Sequence, residues 1–234
     1  MNRKLHLLLV VTVALAALLP DVAFAQLQDQ KRNLSLGFNG GVNLNSVSFS
    51  PRIKQNNFMA PVYGFSARYI SERYFKMICG LQLEVNYSQH GWTENIEDGS
   101  GDTYTRKMNY VEIPFLAHLA FGSENKGARF IVNLGPQIGF ILSETEERSE
   151  TWDTSNRTND VVEQYGYFAD RKFQYGITVG MGVEIRTGIG HFIAEGRYYY
   201  GLSDFYNNSK KDPFARSAQT AIVAKMTYFF DVTK

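Results

Sequence analysis

Cysteine is nearly missing from this sequence: Cys79 stands alone among 234 residues. A single thiol forms no internal disulfide and builds no thiolate metal centre, and the four histidines show no ligand spacing, so neither a metal nor another cofactor is expected. Charge of one sign is not in excess, with 24 basic against 23 acidic side chains and a net charge of +1. Bulk attraction to nucleic acid is therefore no organising force here, and no nucleic-acid partner is expected. Long apolar runs are wanting too. After residue 25 nothing approaches the roughly 20 consecutive apolar residues of a membrane-spanning helix. A G-x-S-x-G elbow and an H-E-x-x-H helix are both absent.

What is present starts at the N-terminus. Arg3 and Lys4 precede the apolar run Leu5 to Leu19, broken only by His6 and Thr12, and Ala23-Phe24-Ala25 follows. A charged head, a short apolar core and an A-x-A site read as a secretory signal peptide over residues 1–25, with residues 26–32 a short periplasmic segment. Cleavage removes two of the basic and one of the acidic side chains, leaving 22 of each. About 209 residues then remain, enough for one domain.

Those residues alternate. In Gly80 to His90, GLQLEVNYSQH, the residues Leu81, Leu83, Val85 and Tyr87 share one face, and Gln82, Glu84, Asn86 and Ser88 the other. Side chains of a strand point to opposite sides with period 2, so one face is apolar and the other distinctly polar. Seven further segments repeat the pattern: Asn33 to Leu44, Met59 to Ile70, Thr103 to Phe121, Ala128 to Leu142, Arg171 to Arg186, His191 to Leu202, and Ser217 to Phe230. Their connections run long, short, long, short, long, short, long. The expected fold is all-β: an eight-stranded antiparallel transmembrane up-and-down β-barrel with short periplasmic turns and long extracellular loops. Two aromatic bands are expected at the interfaces. Tyr69, Phe75, Phe121, Phe130, Phe192, Tyr228 and Phe230 form one, and Tyr87, Trp92, Tyr104, Tyr198 and Tyr200 the other.

Six stretches, GFNGGVNLNSV, LQLEVNYSQHGW, MNYVEIPFLAHLAF, FIVNLGPQIGFILS, FQYGITVGMGVEI and FIAEGRYYYGLSDF, resemble in sequence and order the PorT-like outer-membrane β-barrel family. Tyr110 to Pro114 and Gly201 to Ser203 are the more distinctive parts, and the resemblance covers residues 33–230, the expected barrel domain. It implies an eight-stranded barrel in the cell outer membrane. The name-giving member is associated with protein export by the type IX secretion system, and an export accessory role stands beside a structural or interaction role among the readings of a non-enzymatic barrel. Residues 231–234 continue past the final aromatic as a short tail.

An eight-stranded barrel is only wide enough for side chains to fill it. The inward set read from the alternation is Asn39, Asn43, Arg68, Gln82, Glu84, Asn86, Glu112, His118, Asn133, Gln137, Gln174, Thr178, Glu184, Glu195, Arg197 and Lys225. Buried charges must pair, so Arg68, Glu84, Glu112, Glu184, Glu195, Arg197 and Lys225 are expected to form a lumenal network that acts as a polar plug rather than as an ion path. No catalytic residue is expected. Ser88 and His90 are the most suggestive pair, yet residues two apart on a strand lie roughly 7 Å apart.

Loops then become the working surface. Between Ser143 and Asp170 eight acids face two bases, while the first and last outside loops carry Arg52, Lys54, Lys210, Lys211 and Arg216. Glu146, Glu147, Trp152, Tyr165 and Tyr167 are the candidate partner-binding residues, the aromatics as exposed anchors. Expected partners are outer-membrane lipid, lipopolysaccharide and envelope or secretion-machine proteins. A non-enzymatic structural or interaction barrel is the leading reading, with a lipid-modifying enzyme or a narrow ion conduit as alternatives.

Overall fold

The computed structural model describes residues 33–74, 77–122, 127–154, 157, 161–187 and 189–232. The expected signal peptide, the 26–32 segment, Phe75, Asp160 and residues 123–126 of one short turn lie outside the described residues.

Every regular element described is a strand: β1 Asn33–Ser50, β2 Gln55–Asn56, β3 Phe58–Tyr74, β4 Met77–Glu94, β5 Tyr104–Gly122, β6 Gly127–Arg148, β7 Phe173–Arg186, β8 His191–Asp204 and β9 Arg216–Asp231. All pairings are antiparallel. Around the ring β1 pairs β3, then β4 to β9 follow in order, and β9 returns to β1 from Ser35↔Asp231 to Ser50↔Arg216. Eight long strands thus close on themselves and leave no edge. The two-residue β2 only extends β4, through Gln55↔Glu94. At Gly37 a Cβ would fall 2.1 Å from the carbonyl oxygen of Tyr228, so the β1–β9 seam closes only over glycine there.

Alternation decides which side of the wall each residue takes. Phe65, Leu83, Leu134, Met181, Ile222 and Met226 are exposed on the outer surface, whereas Gln82, Glu84, Asn133 and Thr178 are buried in the lumen. All sixteen residues placed inward by phase are buried. An outer surface this apolar is explained by a hydrocarbon solvent.

Several strands exceed their expected limits. A tilted crossing takes about 9–11 residues, yet β4, β5 and β6 have 18, 19 and 22. The excess stands at the long-loop end. Residues Ser143 to Arg148, expected in a loop, continue β6, and their partners run to Tyr104↔Arg148 on β5. At the other terminus Asp231, expected in the tail, is the last residue of β9 and accepts hydrogen bonds from the Ser35 hydroxyl (2.7 Å) and the Asn33 amide (2.9 Å).

Leu83 is the seventh of the 18 residues of β4, with its side chain on the outer surface. Leu83→Arg is expected to lose about 2–4 kcal/mol of folding free energy in vesicles, the cost of a cation at the bilayer midplane. Urea titration of the folded, heat-modifiable gel band measures it; an unchanged midpoint would place this face away from hydrocarbon.

Candidate functional site

The lumen is built in layers, each contributed by several strands. Near the short turns Glu184 of β7 gathers the guanidinium groups of Arg68 of β3 at 2.9 Å and Arg129 of β6 at 3.9 Å, and the His191 ring of β8 meets it through Nδ1. His191 also reaches Asp231 with Nε2, at 3.0 Å. The Arg68 guanidinium lies 4.4 Å over the Phe229 ring. Phe229 belongs to an apolar cluster with Ile70, Ile78, Ala120, Ile131 and Ile193 that fills this end.

Midway, Arg197 of β8 crosses the lumen and grips both oxygens of Glu84 on β4, at 2.7 and 2.9 Å. Its other edge takes Glu195, two residues away on the same strand, and Lys225 of β9 completes the group on Glu84. Two carboxylates and two cations make this layer neutral. The amides of Gln82 (2.6 Å) and Asn86 (3.0 Å) donate to Glu84, and that of Asn133 donates to Glu195 (3.0 Å). His118 joins through Asn133, its Nδ1 lying 2.8 Å from the amide oxygen.

One layer further out, Glu112 meets His90 at 2.9 Å and accepts the Gln137 amide at 2.8 Å. The expected separation of Ser88 and His90 is corrected here. Their side chains lean together along the strand, and the Ser88 hydroxyl lies 3.0 Å from His90 Nε2. Both contacts of the imidazole fall on that same nitrogen. A nucleophile relay instead needs the hydroxyl on one ring nitrogen and the carboxylate on the other. The adjoining cavity, bordered by His90, Glu112, Gln137, Arg197, Tyr199 and Lys225, measures about 20 Å³, room for about one water.

Above this layer the lumen turns aromatic. Trp92 and Tyr104, expected in an interfacial girdle, are instead fully buried inside the barrel. They lie on the inward phase of β4 and β5, where those strands rise beyond the crossing. Trp92 stacks on Phe205 with centroids 5.9 Å apart, and Phe49, Tyr206 and Phe214 pack around it. Arg106, a residue the sequence reading passed over although it shares its phase with Tyr110 and Glu112, is wholly buried beneath the cap. Its guanidinium meets Glu146 at 3.0 Å and Glu144 at 3.6 Å, and donates to the backbone carbonyls of Gln164 and Tyr167.

Glu146, Trp152, Tyr165 and Tyr167 therefore serve the cap's own architecture. Glu146 accepts from the Tyr104 hydroxyl (2.8 Å), Arg148 (2.6 Å) and the Gly166 amide (2.8 Å). The aromatics are half-buried against the plug, which corrects their expected exposure. Glu147 remains at the surface, paired with Lys107 at 2.5 Å, and Phe168 is the aromatic that stays 55% exposed. A clamp closes the cap from above. Arg157 is buried between Asp98 at 2.9 Å and Asp102 at 2.6 Å, and lies 4.3 Å over the Trp152 ring. The Ser100 hydroxyl and Arg157 hold the Asp98 carboxyl down at about 2, and Asp102 is lowered by the Ser149 hydroxyl, the Asp153 amide and Arg157.

With this geometry in view, the comparisons place the chain. Residues 24–207 match the family model for the outer membrane protein beta-barrel domain, and the chain belongs to that family. It is an outer-membrane β-barrel. Among solved structures it is similar to Ail of Yersinia pestis (12% identity, TM-score 0.36, covering 84% of this chain and 98% of that one). It is similar also to Neisserial surface protein A (12%, 0.41, 83% and 96%) and to OprG of Pseudomonas aeruginosa (11%, 0.44, 88% and 97%). No curated protein matches the sequence.

Two outcomes test the site. Arg197→Met strands Glu195 and leaves Glu84 with Lys225 alone, so about 3–5 kcal/mol of stability is expected to go. Adding Glu195→Gln restores a neutral Glu84–Lys225 pair and is expected to recover part of that loss in the same urea titration. Second, Asp98 and Asp102 titrate lower folded than unfolded, so their contribution is present above about pH 4 and is lost as pH falls toward 2. Trp92 and Trp152, the two tryptophans of the sequence, both lie in the cap region and report its opening. Their emission is expected to shift red over that range while strand content holds, and Arg157→Gln should show the shift at neutral pH.

Proposed function

We propose that the protein is an exported, non-enzymatic outer-membrane barrel that acts through its outward cap and its contact with outer-membrane lipid and lipopolysaccharide, in the manner of the PorT-like proteins it resembles. The observation that carries this reading is the filled lumen. Apolar residues close the short-turn end, an ion-paired layer of two carboxylates and two cations occupies the middle, and an aromatic plug clamped by Arg157 closes the other end. A pore of that kind gives ions no path, and a buried Ser88–His90 pair sharing one ring nitrogen gives a substrate no entry. The surfaces left for function are the cap and the lipid-facing wall.

The cap is divided in charge. Glu147, Glu150, Glu163 and Asp170 are exposed on it, while Arg52, Lys210, Lys211 and Arg216 are exposed along the first and last outside loops. Such a division steers a partner of complementary charge and fixes its orientation. The partner class is an envelope or secretion-machine protein, consistent with the export role of the family's name-giving member, and residues 1–25 supply the export signal. A photocrosslinking amino acid in place of Phe168 is expected to capture an envelope protein in cells, and the same probe at exposed Ile189 beside the opposite short turn is expected not to. Adducts from Ile189 alone would move the working surface to the periplasmic end.

A further inference from the structure

The β7–β8 seam does not close as far as its strands reach. Paired register ends at Gly176↔Gly201, although β7 begins at Phe173 and β8 runs on to Asp204. Beyond that point the Ser203 hydroxyl stands in for a ladder carbonyl: it accepts the Tyr175 amide proton at 2.9 Å and donates to the Gln174 side chain at 2.7 Å. The neighbouring β8–β9 ladder shifts register over the same stretch, between Tyr200 and Asp204. Where the strands part, a groove of about 430 Å³ opens on the outer surface of the wall.

The groove has two chemistries, one above the other. Its lower wall is made by Phe173, Tyr175 and Leu202, each about half exposed and continuous with the apolar outer surface. Its upper edge carries Arg171 and Lys172, both exposed. Outside the groove's lining, Arg216 of β9 is bonded to the hydroxyl of Tyr200 of β8 at 2.6 Å with its guanidinium 5.7 Å over that ring. Tyrosines mark headgroup depth in a membrane wall, so the cations begin where lipid phosphates lie.

The nearby carboxylates are turned toward protein donors. Asp204 accepts the Asn208 amide at 3.0 Å and the Ser217 amide at 2.7 Å. Asp170 accepts the Tyr167 hydroxyl at 2.8 Å and the Asn207 amide at 2.9 Å, while Glu144 pairs inward with Arg106, accepts the Ala169 amide and also feels the charge of Lys172. The Arg171 guanidinium makes a long contact to Asn208 at 3.4 Å and feels the Asp212 carboxylate, which itself accepts the Ser209 amide (2.8 Å) and hydroxyl (2.5 Å).

We propose that this groove binds the phosphate of an outer-leaflet membrane lipid, with the headgroup against Arg171 and Lys172 and an acyl chain along Phe173, Tyr175 and Leu202. Guanidinium matches phosphate geometry with two parallel donors, and lysine adds a point charge. The apolar lower wall selects a lipid over a free anion, because inorganic phosphate leaves that wall unused. The inference rests on the membrane reading above and names the residues of its lipid contact.

The test uses the full-length barrel folded in detergent micelles, with native mass spectrometry reading retained lipid. Diphosphoryl lipid A is the probe, phosphatidylcholine the neutral comparison and inorganic phosphate the free-anion competitor. Each cation near an anionic surface contributes about fivefold in affinity, so R171Q/K172Q is expected to lose about 30-fold for lipid A. K210Q/K211Q makes the same charge change on the adjacent loop and is expected to lose nothing. Unchanged binding by R171Q/K172Q, an equal loss in K210Q/K211Q, or displacement of lipid A by inorganic phosphate would each overturn the groove. Heat-modifiable gel mobility, read on the same samples, separates the two levels. A wild-type chain that shows none overturns the barrel reading itself, and one that shows it without preferring lipid A over phosphatidylcholine overturns the groove alone.

Discussion

Glu84 and Arg197 lie 113 residues apart in sequence and meet across the lumen through two parallel hydrogen bonds. Closing eight strands into one ring forces the inner faces of all of them into a single narrow space. Ions in that space are cut off from bulk water, and each must find a counter-ion or be left as an uncompensated buried charge. The four-member group of Glu84, Glu195, Arg197 and Lys225 meets this demand with balanced charge and with amide donors on the remaining oxygens. Strand register depends on it in turn. A one-residue slip of β4 would carry Glu84 out to hydrocarbon and turn Leu83 into a charged cavity, so the ion group and the outer apolar surface specify the same pairing.

The same demand explains why the lumen is layered. A polar interior open to water at both ends would exchange its ion pairs for hydrated ions at little cost. Here Phe229 and its apolar neighbours close the short-turn end, and Trp92, Phe205 and Phe214 close the other. Ion pairs are stronger where bulk water is shut out, and the two plugs shut it out here. Arg106 is the joint between the two regimes. It is the buried cation whose carboxylates, Glu144 and Glu146, come from the part of β6 that has already left the membrane.

Residue phase was the most legible property, because period 2 is set by backbone geometry and one side of every strand must face hydrocarbon. That is why Glu195, Asn133 and Thr178 could be placed inward from sequence, and why His90, Arg106 and Arg129 were in principle readable by extending the same alternation a few residues. Cross-lumen partners were not readable. Arg68 reaches Glu184 and Arg197 reaches Glu84 through the stagger of the strands, which no local pattern encodes. The girdle assignment of Trp92 and Tyr104 failed for a related reason. Position near a rim does not mean contact with lipid, because both residues keep the inward phase on strands that outlast the bilayer. The cap is illegible in sequence because an acid-rich stretch looks solvated, whereas Arg157 clamps it from above and Arg106 lies buried beneath it.

The length mismatch between strands finally accounts for the asymmetry of the outer rim. β5 and β6 stay paired out to Tyr104↔Arg148, and that rigid ribbon supports the clamped, acidic cap. β7 and β8 stop pairing at Gly176↔Gly201, and the loosened wall there is basic and faces sideways. Only the β6–β7 seam lies between them, so the ladder that outlasts the membrane and the ladder that stops early stand close together on the ring. A surface acidic on the β5–β6 side and cationic at the parted β7–β8 seam matches the two contacts proposed above, a partner at the cap and lipid at the wall.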